Sequence, residues 1–293
     1  MKKIAIVGAE GFIGGYLSSY LEETLDKNEF KILRTAYQKT KGYISLDVTS
    51  KQQVEQFLAG TAPDKVILLA GTKDVKKCEE DFSFALKLNS EPTRLFVKSI
   101  EANRLNTSII FLSSDYVFEG IKGFYLDSEP CFPKTNYGKS KLIAEDYLKN
   151  SKCNYNIVRT SAIMAKGANF LDWLVSNIAK NKKIEVFSNT FFSPTPISVL
   201  NEGILRLVLK DRNRVTLNLC GGVKLSRYEF SSIVKKFFPD SSATIEETLA
   251  DTQNSYFCSD LSMINSKEFE DLSQGFTLKL KSEVDKYATS KDK

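Results

Sequence analysis

The chain has 293 residues, of which 42% are hydrophobic and 26% charged, with a net charge of +5. That length suits about two structural units and a core needing no disulfide or metal staple. There is no histidine, which excludes Ser-His-Asp triads, Cys-His dyads and His-ligated zinc, and leaves proton chemistry to Tyr, Lys, Cys, Asp or Glu. A short apolar run rich in β-branched residues at 3–7 reads as a buried strand. Helical spacing follows over 11–25, then strands at 30–35 and 65–70 with a helix at 52–58 between them. Residues 79–102 fit one long helix, with Pro92 as a bend or boundary. A strand at 108–112, a turn-rich stretch at 127–136, a helix at 137–148 and a strand at 156–159 complete the first part. Alternating strands and helices predict a Rossmann-type α/β fold, a doubly wound parallel sheet, over residues 1–160. Beyond 160 the pattern is mixed: helices at 169–179, 199–209 and 226–237, extended segments at 183–187 and 215–219. We read 161–285 as a smaller mixed α/β substrate lobe that returns elements to the first part, and 286–293 as a tail.

The five cysteines (Cys78, Cys131, Cys153, Cys220, Cys258) are odd in number and widely spaced. They read as reduced thiols of a cytoplasmic protein. No cleavage site follows the basic start, so no signal peptide is expected, and no run is long enough for a membrane helix. The charge excess is small and spread, and no basic–aromatic patch suggests nucleic-acid binding.

The first strand runs into Gly8, Gly11 and Gly14. Glycines at this spacing let the backbone turn tightly and approach a pyrophosphate, which the next helix's N-terminus attracts. The GxxGxxG spacing resembles that of the short-chain dehydrogenase/reductase superfamily. The second strand ends in Arg34-Thr35-Ala36 without the carboxylate that usually binds the NAD ribose. Arg34 could clamp a 2′-phosphate, favouring NADP(H) over NAD(H), or could be a solvated side chain.

Tyr137 and Lys141 lie four apart, on one helix face. An ammonium near the phenol, together with an oxidised nicotinamide, would lower its ordinary value of about 10. Any neutral-pH limb in activity would then report Tyr137. Ser114 ends the strand at 108–112, where such sheets bind ligands. It is the candidate to polarise a substrate carbonyl, with Ser113 as substitute; a turn-capping Ser is the plainer alternative.

With these residues in hand, the chain resembles an extended short-chain dehydrogenase/reductase of the dTDP-4-dehydrorhamnose reductase-like group. The matching stretches are GAEGFIGGYL, SSDYVFEG, YGKSKLIAE, IVRTS and FSPTP. The resemblance implies a catalytic set of Ser114, Tyr137 and Lys141, with Asn89 supporting the lysine through water. It implies cofactor contacts from Gly8, Gly11, Phe12, Ile13, Gly14, Arg34, Asp47, Val48, Ala70, Gly71, Tyr137 and Lys141. Substrate contacts would come from Ser114, Asp115, Tyr116, Phe118, Thr160 and Ser161, and no metal is expected. The implied activity is NAD(P)H-dependent reduction of a nucleotide-linked 4-keto-6-deoxy sugar, with Tyr137 as proton donor. A homodimer stays open. The family's aromatic after Arg-Thr-Ser is missing here, where Ala162, Ile163 and Met164 follow, and Phe192 stands for a family glycine. Alternatives are a non-catalytic NADP-binding regulatory subunit, or an epimerase or dehydratase retaining NAD. A dehydratase would carry Asp-Glu where Asp115-Tyr116 stand.

Three further features have plain readings. Lys73, Lys76 and Lys77 could meet phosphate or form a solvated face. Glu79, Glu80 and Asp81 read as an acidic helix start. Trp173 reads as core, and Cys131 as inert.

Overall fold

The fold is described from a computed structural model over residues 1–210, 213–252 and 257–288. The end of the expected tail, 289–293, lies outside the described residues. The elements run β1 (Lys2–Val7), α1 (Phe12–Thr24), β2 (Phe30–Ala36), β3 (Ile44–Ser45), α2 (Lys51–Thr61), β4 (Lys65–Leu68), α3 (Val75–Glu80), α4 (Phe82–Asn89), α5 (Glu91–Ala102), β5 (Ser108–Ser114), α6 (Asn136–Lys149) and β6 (Tyr155–Thr160). Then come β7 (Ile163–Met164), α7 (Asn169–Ala179), β8 (Lys183–Phe187), β9 (Phe191–Phe192), β10 (Thr195–Pro196), α8 (Ile197–Leu209), β11 (Val215–Asn218), β12 (Leu225–Ser226), α9 (Arg227–Lys236), β13 (Thr244–Thr248) and α10 (Phe276–Asp285).

Two compact units are interleaved in sequence. The first comprises Met1–Val117, Cys131–Arg159 and Gly203–Leu217; the second comprises Phe118–Pro130, Thr160–Glu202 and Asn218–Lys293. The first unit is built on a seven-stranded parallel sheet in the order β11-β6-β5-β4-β1-β2-β3. β1 pairs in parallel with both β2 and β4, so the winding direction reverses beside it. Ligands of open α/β sheets bind at such a reversal, beyond the carboxyl ends of the strands. β4 is buried along its whole length, and β1 from Ile4 to Val7. Strands covered by helices on both faces need such continuous apolar runs. Ala5, Val7, Val66, Leu68, Ile109 and Phe111 join Phe57, Phe96 and Leu148 from the helices in one core.

The helix expected over 79–102 is three helices. Asp81 interrupts it, its carboxylate accepting the Phe84 N–H at 3.0 Å to start α4. Ser90 ends α4, and Pro92 sits in the first turn of α5. A proline costs nothing there because those N–H groups have no helical acceptor. The return segment is tied by Lys65, whose buried ammonium donates to the Leu207 and Lys210 carbonyls at 3.0 and 3.1 Å. A cation at a helix C-terminus satisfies its last carbonyls and its dipole.

In the second unit three two-stranded pairs form, β7 with β10, β8 with β13, and β9 with β12. The Tyr125 hydroxyl accepts the N–H groups of Gly120, Ile121 and Lys122 at 3.0, 3.0 and 3.2 Å, and its ring stacks on Phe118 at 4.5 Å. Trp173 is 44% exposed and stacks on Phe170, so it is not the core residue that helical spacing suggested. Among the described residues no helix is long and apolar enough to cross a membrane.

Candidate active site

The turn after β1 is shaped by two glycines. Gly8 has φ of +89°, and Gly14 lies so close to the turn that a Cβ would come 2.2 Å from the Gly8 carbonyl oxygen. Any side chain at 14 would push α1 off the strand. Gly11 is the N-cap of α1 and brings no side-chain cap, so Phe12, Ile13 and Gly14 present the N-terminal turn without a side-chain acceptor. Such a turn is a ready anion site. The Gly8 N–H donates to the Thr35 hydroxyl at 3.2 Å, which fixes the turn against the end of β2. This cradle fits a dinucleotide pyrophosphate.

Arg34 points to α1, 3.4 Å from the Glu22 carboxylate, and lies over the Tyr43 ring at 5.0 Å. It remains about one-third exposed. Asp47 folds its carboxylate onto Thr49, accepting from its N–H and hydroxyl at 2.9 and 2.8 Å. Val48 and Ala70 pack against the core. Gly71 leaves room for Asn89, whose Oδ1 a Cβ would meet at 2.8 Å. Of the lysine run, Lys73 reaches the glycine turn, its ammonium 5.3 Å from the Phe12 ring. Lys76 pairs with Glu80, and Lys77 lies over Phe84.

The end of β5 and the start of α6 bring Ser114, Tyr137 and Lys141 together within the first unit. Ser114 is buried; its hydroxyl donates to Asp115 at 2.9 Å and accepts the Tyr116 N–H at 3.3 Å. The Tyr137 phenol is its neighbour and feels its hydroxyl. The Tyr116 ring meets that of Tyr137 edge-on at 5.5 Å. Lys141 is buried, donates to the Leu112 carbonyl at 2.6 Å and lies over Phe111 at 4.3 Å.

Burial pushes the Tyr137 phenol up to about 12; the Ser114 hydroxyl opposes this, and the charge of Asp115 and the thiol of Cys78 add to it. Burial also lowers the Lys141 ammonium to about 8, against the pull of Glu145. The sequence reading had the ammonium lowering the phenol. In the structure that ammonium is engaged with a backbone carbonyl, and burial dominates both groups. In the cofactor-free chain, burial therefore brings Lys141, not Tyr137, nearer to neutrality.

Asn89 is buried and holds three pieces together. Its Oδ1 accepts the Thr72 N–H at 2.8 Å and its amide donates to Ser140 at 3.0 Å, while Ser140 donates to the Tyr137 carbonyl at 2.7 Å. Its contact with α6 thus runs through Ser140. Glu79 does not start a helix: it lies in the last turn of α3, and its carboxylate accepts the Asn136 N–H at 2.6 Å, capping the helix that carries Tyr137. No spacing rule links 79 to 136, so this contact is invisible in sequence.

In the second unit Phe118 is fully buried, and its stack on Tyr125 accounts for that burial. Ser161 accepts the Ser193 N–H at 3.3 Å. The Thr160 hydroxyl is buried with no hydrogen-bond partner among the described residues. Phe192 packs edge-on against Phe230 and lies under the Arg227 guanidinium at 3.9 Å. Burial raises the Cys131 thiol and lifts Cys78 to about 11, which suits unreactive thiols. Among the described residues there is no cluster of three or more Cys, Asp or Glu able to hold a metal.

The family profile described as RmlD substrate binding domain matches residues 1–270. The chain belongs to this family. Among its relatives, the spore coat polysaccharide biosynthesis protein SpsK of Bacillus subtilis (strain 168) is 26% identical over 71% of this chain and 70% of its own length. The dTDP-4-dehydrorhamnose reductase of Aggregatibacter actinomycetemcomitans is 30% identical over 63% of this chain and 59% of its own. The chain thus spans about three fifths of that enzyme. The crystal structure of dTDP-4-dehydrorhamnose reductase from Bacillus anthracis str. Ames in complex with NADP superposes with a TM-score of 0.84, covering 98% of this chain and 99% of the other at 22% identity. That likeness shows the fold.

Proposed function

We propose that this RmlD-family chain is an NADPH-dependent reductase of a nucleotide-linked 4-keto-6-deoxy sugar, with Tyr137 as proton donor. The observation that carries the reading is the convergence of Ser114, Tyr137 and Lys141 where β5 meets α6, in the sheet that also bears the glycine cradle. Family membership and the named activities of the relatives support the substrate class. The complex of the Bacillus anthracis enzyme with NADP supports the cofactor.

When bound, the nicotinamide supplies a hydride to the sugar ketone. The residues of this chain do the rest. The first turn of α1 would hold the pyrophosphate, with Lys73 beside it. Lys141 would hold the nicotinamide ribose. With its phenol up at about 12, Tyr137 is protonated throughout the neutral range. It therefore enters the reduction as the acid, and its proton passes to the developing alkoxide. Ser114 lies beside that phenol and orients the same oxygen. Preorganised donors of this kind stabilise charge that develops in the transition state. The order Ser114-Asp115-Tyr116 lacks the Asp-Glu pair of a dehydratase.

The test is NADPH oxidation by the full chain with a panel of dTDP- and other nucleotide-linked 4-keto sugars. Tyr137→Phe is expected to lower kcat by about 10²–10⁴-fold, the usual worth of a general acid, while NADPH binding persists. Unchanged turnover in Tyr137→Phe would overturn the assignment. NADPH affects only binding, with no turnover on any keto sugar, if the chain is a regulatory subunit.

A further inference from the structure

Beneath the catalytic dyad lies a buried charge cluster with no assigned role. Glu145 is one helical turn beyond Lys141 on α6 and is fully buried. Its carboxylate accepts two bonds from Arg159 on β6, at 3.0 and 2.7 Å. It accepts a third from the Ser113 hydroxyl at 2.7 Å and a fourth from Lys149 at 2.9 Å. Ser113 is the residue before Ser114. One carboxylate therefore joins the strand end that carries the catalytic serine, the helix that carries the catalytic lysine, and the next strand of the sheet.

A plain structural role does not explain this arrangement well. A buried ion pair contributes little net stability, because desolvating the charges offsets their attraction. Apolar residues of similar volume would serve packing at least as well. Burial alone would raise the Glu145 carboxyl, yet the hydrogen bond and charge of Arg159, the charge of Lys149 and the Ser113 hydroxyl hold it below its ordinary range. It is thus a fixed negative charge between two buried cations, Lys141 and Arg159, with the half-buried Lys149 at its outer side. Without it, the two buried cations would lack their anion.

We propose that Glu145 is a positioning residue of the active site, fixing the end of β5 beside Ser114 and keeping a negative charge next to Lys141. The proposal rests on the reading of Lys141 and Ser114 as active-site groups. On its own helix Lys141 has Tyr137 and Glu145 one turn to either side. Asp115, after β5, and Cys78, on α3, act on Tyr137, while Arg159, on β6, and Lys149 act on Glu145. Among them, Glu145 is the charge that acts on the Lys141 ammonium, and it favours the charged form.

The test titrates the Lys141 amine directly by NMR of the full chain labelled with ¹⁵N-lysine, its resonance assigned by loss in Lys141→Met. In Glu145→Gln the midpoint is expected to fall by about one pH unit, the size of effect a close opposite charge exerts. Glu145→Gln leaves Arg159 without its ionic partner, so Glu145→Leu/Arg159→Met is the second variant. It removes both charges in roughly equal volume, which protects the fold; because a cation leaves with the anion, its Lys141 midpoint is expected to fall by less than in Glu145→Gln. A midpoint that stays put in folded Glu145→Gln, or that rises in the paired variant, overturns the proposal, since a packing role would not lower it. NADPH oxidation with keto-sugar nucleotides is measured alongside. If Glu145→Gln shows the midpoint shift while the wild-type chain binds NADPH but reduces no sugar, the reductase reading falls and this one stands.

Discussion

Lys141→Met offers the sharpest check on how the site is built. The lysine ammonium, ordinarily at 10.5, falls to about 8 in the folded chain, chiefly through burial. Folding therefore makes the amine a weaker base than it is in the unfolded chain. At 1.36 kcal/mol per pH unit, the gap is worth about 3 kcal/mol. The sign follows from linkage. Between pH 8 and 10.5 the unfolded chain binds the extra proton, so stability rises with pH through that window. Below pH 8 the wild type carries the full penalty. Methionine removes the charge and keeps most of the volume, but gives up the bond to the Leu112 carbonyl, a loss of about 1 kcal/mol. Lys141→Met should thus be about 2 kcal/mol more stable than wild type at pH 7. The advantage should vanish by pH 10.5, while reductase activity is lost. Urea unfolding at pH 7, 9 and 10.5, with cofactor absent, reads the gain and its disappearance, and NADPH oxidation reads the activity. Destabilisation at pH 7, or a gain that does not change with pH, would refute the reasoning. A functional group that weakens the fold is expected where a site is built for chemistry.

The remaining expectations concern the pH profile, the loop, the cofactor and the second unit. Reductase activity should fall with an alkaline limb near pH 8 from Lys141, and no Tyr137 limb should appear below about pH 11; a kcat/KM profile flat to pH 10 would contradict this. Gly14→Ala places a Cβ 2.2 Å from a backbone oxygen, so it should cost about 1–3 kcal/mol of stability and weaken NADPH binding in calorimetry; wild-type affinity would show that the turn is not the cradle. Arg34→Ala should raise KM for NADPH about tenfold and leave KM for NADH unchanged, as loss of one charged hydrogen bond predicts; equal effects on both would assign Arg34 to its Glu22 pairing alone. Tyr125→Phe deprives three backbone N–H groups of their acceptor and should lower stability by about 1–3 kcal/mol, read by thermal unfolding; an unchanged Tm would mean water replaces the hydroxyl.

Much of the site is legible in sequence because its parts obey short-range rules. The glycine turn, the helix after it, and Tyr137 with Lys141 one turn apart follow from local geometry. So does Ser114 at the end of a buried strand. The break at Asp81 was also written locally, as a capping carboxylate, but the helical periodicity on either side masked it. Long-range partners left no such trace. Glu79 reaching Asn136, Asn89 reaching Ser140, and Glu145 reaching Ser113 and Arg159 span gaps of 57, 51, 32 and 14 residues.

The absent histidines were a property of sequence alone, and they directed the search to tyrosine and lysine before any fold was known. Sequence also determined the parallel sheet, since strands buried on both faces need unbroken apolar runs. What the tertiary structure alone decided is how those two residues ionise. A phenol and an ammonium four residues apart would, in water, help one another ionise. In the fold, burial raises one to about 12 and lowers the other to about 8, with Asp115 adding to the first shift and Glu145 opposing the second. The desolvation that sets these values needs elements distant in sequence, such as β5 against Lys141, to pack on α6, and no local pattern encodes it.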